Sequence, residues 1–233
     1  MRNFNFEQIH AGYKRNKWLR YFTTFCRVGL AWGFLPSGFV KINGERFTAL
    51  ADNHPMGAYL EALHHTGYYY TFIGIAQMTA AVLLLIPRTA TLGAMLYLPI
   101  ILNICILSLA VGFDGSLLTS PLMVIANLYL LCWDYDRLKF ALPFHRPQPI
   151  PKESLDTKFP IKFFALSAVA VVAIVVTILS SYTIRPRNTY SDCSGDCDTA
   201  PNPQACYDFC NCIHKDGHTY DDCTKIYKKA IGK

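Results

Sequence analysis

Six cysteines fall between Cys193 and Cys223 in the spacing C-x3-C-x8-C-x3-C-x-C-x10-C. Thiols at this density close disulfides in an oxidising compartment or hold a metal in a reducing one. A C-x3-C pair on a helix puts both sulfurs on one face, one turn apart. Two such pairs, Cys193 with Cys197 and Cys206 with Cys210, face each other across DTAPNPQA. They are expected to bridge as Cys193–Cys210 and Cys197–Cys206, leaving Cys212 and Cys223 for a third disulfide. Fifteen pairings of six cysteines exist, so spacing leaves the others open. The alternative is a zinc site through Cys210, Cys212 and His214. CNCIH is not the C-x-x-C-H of attached haem, and the chain has no C-x-x-C redox motif.

A second set of polar groups sits inside apolar runs. Arg27, Gln77 and Asn127 lie about 12, 13 and 9 Å from the nearest ends of their runs, at 1.5 Å per helical residue. An arginine in hydrocarbon costs about 2.5–3.5 kcal/mol on insertion scales, and no Asp or Glu lies within the runs at that depth. The three are therefore expected to share one level and to bind a ligand, a lipid phosphate or a quinone carbonyl. The plainer alternative is that Arg27 snorkels to the headgroups. Between the first two runs lie further candidates, Lys41, Glu45, His64 and His65. His64 and His65 are adjacent, so on a helix they point about 100° apart and are unsuited to sharing a metal. No metal and no catalytic group is assigned. Cys26, Cys105 and Cys132 read as packing residues.

These residues need elements to hold them. Over 233 residues the composition is 52% hydrophobic and only 16% charged, against about 25% charged in a soluble domain. The apolar runs cover 19–41, 68–86, 90–110, 117–133 and 163–182, each of a length that a membrane helix needs. Lys14, Arg15, Lys17 and Arg20 flank the start of the first run, Arg88 sits between the second and third, and six basic residues follow the fourth over 134–162. The outer loops carry only Lys41, at their edge, and Arg46. The positive-inside rule then puts the N-terminus in the cytoplasm and the C-terminus outside, in an inner (cytoplasmic) membrane crossed five times. No cleavable signal peptide is expected, because the first run is long and lacks a small-residue cleavage site. The basic residues flank apolar runs and form no stripe with interleaved aromatics, which excludes nucleic acid as a partner.

The fold expected is an all-α membrane protein: a cytoplasmic arm over 1–18, a four-helix transmembrane bundle over 19–133, a cytoplasmic linker over 134–162, a fifth transmembrane helix over 163–182, and a disulfide-rich extracytoplasmic tail over 183–233. Membrane lipids and, through the tail, a protein are the expected partners.

The run RVGLAWGFLPSGFVKI, followed by an outer loop and then GIAQMTAAVLLLIPRTATLGAMLYLPIIL, resembles the DoxX-like membrane family over about residues 20–133. The family's arginine corresponds to Arg27, its first-helix glycines to Gly29 and Gly38, its G-x-x-K lysine to Lys41 and its turn residue to Arg88. Where the family's second helix has G-x-x-E, this chain has Gln77. Members resemble subunits of quinol-linked oxidoreductases, and relatives assist periplasmic thiol chemistry or protein maturation. The resemblance thus implies an accessory subunit or assembly factor of an envelope complex, with redox-linked complexes among the candidates. A quinone- or thiol-linked membrane oxidoreductase is the alternative, and a lipid-binding or transport component is a third. The cofactor is left unassigned, with quinone or lipid as the candidates.

Overall fold

The computed structural model describes His10, residues 12–141 and residues 156–232, and every regular element among them is helical. α1 (Lys17–Ile42) begins where the Asn16 side chain accepts from the Trp18 and Leu19 amides, two donors that a first turn cannot satisfy itself. α2 (Pro55–His64) starts on a proline, which needs no donor there. α3 (Tyr68–Leu85) and α4 (Ala90–Val111) follow, and α4 stops at Gly112, whose φ of +64° suits a residue without Cβ. α5 (Thr119–Trp133), the short α6 (Tyr135–Ala141) and α7 (Ile161–Ser181) complete the apolar part. By length and composition, α3, α4 and α7 can each cross a membrane, and α5 is a shorter apolar helix.

α1 packs on α3, α3 on α4, α4 on α5, and α5 returns to α1. Phe34 and Tyr97 stack at the centre, 3.7 Å between ring centroids, and the Tyr97 hydroxyl donates to the Leu30 carbonyl at 3.0 Å. Ala80, Ala81 and Leu84 of α3 pack around them with no measurable exposure. Small residues set how closely α1 and α3 approach. A Cβ built on Gly38 would fall 2.9 Å from the Gly74 carbonyl, and one on Gly74 would fall 2.8 Å from that of Gly38. Glycine at both positions lets the backbones touch, and so pins the register of these antiparallel helices.

None of α7 is buried. Its start meets Phe22 and Tyr129 through Phe163, at 6.1 and 5.8 Å between centroids. Just past its end, the Tyr182 hydroxyl donates to the Leu109 carbonyl. It therefore runs from the Phe22 end of the helical body to the Gly112 end. At the Phe22 end, the described parts of the arm and linker meet. Lys14 pairs with Asp136 at 2.8 Å, and the Lys17 amide donates to the Asp156 carbonyl at 3.1 Å. Residues 1–9, 11 and 142–155, on which parts of the expected arm and linker fall, lie outside the described residues. Within the expected linker, residues 135–141 form α6.

The tail is built from α8 (Tyr190–Gly195), a 3-10 turn at Cys197–Thr199, α9 (Pro203–His214) and α10 (Tyr220–Ala230). Two of its helices start with the same motif, Thr-Tyr-x-Asp-Cys, at 189–193 and 219–223. In each the threonine hydroxyl caps the helix by accepting from the aspartate amide, which delivers the cysteine one turn into the helix. The disulfides are Cys193–Cys210, Cys197–Cys206 and Cys212–Cys223, with Cα separations of 5.8, 5.4 and 5.8 Å. This is the pairing expected from the two C-x3-C units. It replaces the zinc alternative, since Cys210 and Cys212 are bonded and the His214 ring pairs with the Pro186 carbonyl. Of the remaining cysteines, Cys26 and Cys105 are buried and Cys132, expected to pack, is exposed.

Candidate functional site

Lys41 ends the last turn of α1 and is only 5% exposed. Its ammonium donates to the Ser37 carbonyl at 3.1 Å and to the Ser37 hydroxyl at 2.6 Å. The Ser37 hydroxyl in turn donates to Gln77 Oε1 at 3.3 Å, which joins α1 to α3. The Phe47 ring covers the ammonium, 4.2 Å away, with Tyr70 at 5.9 Å. Tyr70 holds that cover in place, because its hydroxyl donates to the Glu45 carbonyl and accepts from the Phe47 amide. His64 closes the side, with Nε2 on the Gly44 carbonyl at 3.0 Å and its ring edge-on to Tyr70. Among the described residues no carboxylate pairs with Lys41. A buried cation held by a hydroxyl, a carbonyl and two aromatic faces can meet a carbonyl or anionic headgroup. Of the outer-loop candidates, Lys41, Glu45 and His64 thus surround one loop, with Glu45 taking part through its backbone, while the exposed His65 pairs with Glu61 instead. Ser37 and Phe47 were missed by sequence reasoning. The only signal was the i, i+4 spacing of Ser37 and Lys41.

Arg27, Gln77 and Asn127 do not converge. Gln77 lies beside Ser37, ten residues beyond Arg27 on α1, or about 15 Å along the axis. Asn127 is fully buried on α5 and donates to the Ala94 carbonyl at 3.1 Å. Arg27 instead reaches Asp134, with Nη2 3.6 Å from Oδ2, and the same oxygen accepts from the Thr91 hydroxyl at 2.8 Å. The expectation that no carboxylate meets Arg27 is corrected. Its depth was counted from the end of its own apolar run, but the Gly38–Gly74 contact slides α1 past α3. Eleven residues back along α1 and eleven forward along α3 from that contact, Arg27 stands opposite the turn after Leu85. Asp134 directly follows Trp133, one position beyond the fourth run, and was overlooked for that reason.

A Bacillus subtilis protein, YwoB, described as uncharacterized, is 37% identical to this chain over 130 residues, covering 53% of this chain and 82% of YwoB. The chain belongs to the YwoB family. No protein-family profile matches it, and no solved structure does.

In this YwoB-family protein the tail is seated on the Gly112 end of the helical body. A Cβ on Gly112 would lie 3.1 Å from Pro186, so the chain leaving α7 crosses directly over the end of α4. Arg187 pairs with Asp114 of the body at 3.5 Å and with Asp196 of the tail. His54, fully buried, caps α2 by accepting from the Met56 amide and lies against His214 of α9. The tail therefore sits at the same end as Lys41. Nothing in the residue pattern announced this junction, since His54 and His214 are single polar residues far apart in the chain.

Proposed function

We propose that this chain is an inner-membrane accessory subunit or assembly factor of an envelope complex, with redox-linked complexes among the candidates. In this reading α1, α3, α4 and α5 form a DoxX-like four-helix transmembrane bundle, and α7 is a fifth span. The N-terminus is cytoplasmic, and the disulfide domain stands outside as a docking platform for a protein partner. The observation that carries it is the seating of the disulfide domain on the helical body through Pro186, Arg187 and His214, which holds a small stapled domain in a fixed pose. A tail that only hung from α7 would need no such contacts.

Two features support the membrane part. Tyr21, Phe25, Val28 and Trp32 line one face of α1 at i, i+4, i+7 and i+11 and are 52–75% exposed, as lipid contact requires. Lys14, Arg15, Arg137 and Lys158 gather at the Arg27 end, and the disulfides belong to the opposite, oxidising side. The test is photo-crosslinking in native membranes from position 226, where Ile226 of α10 is 55% exposed. A defined protein adduct from 226, absent from a probe at the exposed Leu166 of α7, is expected. Purification in mild detergent with no stoichiometric protein and no adduct from 226 would overturn the reading.

A quinone- or lipid-linked role is the second reading, and the buried Lys41 ammonium favours it. Quinone or an anionic lipid should then co-purify with the wild type and be depleted in Lys41→Met. Equal content in the two proteins would remove this reading and leave the first intact.

A further inference from the structure

We infer that Glu61, His64 and His65, at the end of α2, form a binding site for a divalent metal ion of the zinc type. One ligand atom from each of the three residues lies within 4.8 Å of the others. The expectation that adjacent histidines diverge too far to share an ion is thereby corrected. α2 stops at His64 and His65 is its C-cap, so both rings fold back toward Glu61, three and four positions earlier. Their centroids are 5.5 Å apart.

The protonation pattern suits a metal. His64 Nε2 is 3.0 Å from the Gly44 carbonyl, which can only accept, so this nitrogen carries the proton. The lone pair is then on Nδ1, which is buried and has no hydrogen-bond partner. A ligating histidine has this arrangement: one nitrogen is oriented by a backbone carbonyl and the other is left for the ion. His65 Nε2 lies 2.9 Å from Glu61 Oε1, and an ion would take the place of the proton shared between them. Glu61 is itself held, since Arg46 Nε lies 2.8 Å from Oε2, while another nitrogen of Arg46 pairs with Asp52. Glu61 and Asp52 against Arg46 leave one net negative charge beside the two imidazoles, a setting that favours a dication. Two imidazoles and a carboxylate are a borderline donor set, suited to zinc and its neighbours more than to calcium or magnesium. His65 is 71% exposed at its side chain, which gives the ion a way in from solvent and leaves room for water as a further ligand.

The inference stands independently of the accessory-subunit reading, and its test uses the full chain purified in detergent. Equilibrium dialysis against ZnCl2 should show one zinc per chain that is lost from the His65→Ala variant. Glu61→Gln should weaken binding by roughly 10-fold or more. His218→Ala, which removes an exposed tail histidine, should leave it unchanged. Co2+ should give ligand-field absorption bands in the wild type and in His218→Ala, but not in His65→Ala. Because His65 is a surface residue, its replacement leaves the fold in place, which far-ultraviolet circular dichroism checks directly. Wild-type protein that binds no more zinc than His65→Ala, or a His218→Ala variant that loses zinc to the same extent, would overturn the assignment.

Discussion

The imidazole rings of His54 and His214 lie 5.2 Å apart between centroids, one on the helical body and the other on the disulfide domain. They are the point where two separately stabilised parts of the chain meet. His54 is fully buried there, and His214 is 7% exposed, with its Nε2 2.7 Å from the Pro186 carbonyl. The Arg187 backbone stands beside His54, and Asp192 stands near His214. A junction made of two neutral imidazoles in a dry setting holds only while both stay neutral.

The junction should loosen in acid. Burial, and then the neighbouring His214, push His54 down to about 4, with the Arg187 backbone opposing them. Burial also lowers His214, with the Pro186 carbonyl and Asp192 opposing it. An undocked histidine titrates near pH 6.5, so between about 6.5 and 4 the undocked form binds the extra proton. Docking is therefore at full strength above that window and weakens as pH falls through it, by at most about 1.4 kcal/mol per unit for each group. Distance measurement between spin labels on the tail and on the body, at about pH 7.5 and about pH 5, reads this directly. An unchanged distance distribution at the two values would count against it.

Breaking one tail disulfide should unfold the tail alone. Cys206→Ser removes the bond to Cys197, which has no exposed surface, and leaves a hydroxyl in the cluster of Phe209, Ile213 and Tyr227. Loss of a native disulfide in a domain this small costs about 2–5 kcal/mol. Hydrogen exchange followed by mass spectrometry should show rapid exchange across 190–230, with α3 and α4 unchanged. Protection that persists in the tail, or is lost from the body as well, contradicts this division.

The Arg27–Asp134 contact predicts a stability change that a ligand-binding Arg27 would not give. Asp134→Asn leaves the guanidinium without its carboxylate in a setting where side-chain exposure is 16% for Arg27 and 9% for Asp134. The cost should be about 1–3 kcal/mol, read as a lower melting temperature in detergent. Arg27→Met combined with Asp134→Leu should recover most of it, because the pair is removed together. Additive losses in the double variant would mean that the two side chains are not coupled.

Much of the architecture is legible in local chemistry. Apolar runs with no backbone partner but themselves must be helical in hydrocarbon, and four of the five expected runs coincide closely with α1, α3, α4 and α7. The fourth run became α5, shorter than the others at 15 residues. The disulfides were equally accessible, because a C-x3-C unit carries its own geometry once it is helical. What could not be read was register. Depth along a run is a local count, but Arg27 meets Asp134 because glycines at 38 and 74 let two backbones touch and slide the helices into offset alignment. The same limit hid the meeting of His54 with His214. That contact depends on how two stabilised parts close on each other. Side-chain periodicity leaves no trace of it, so only the tertiary fold decided which of these distant polar groups became neighbours.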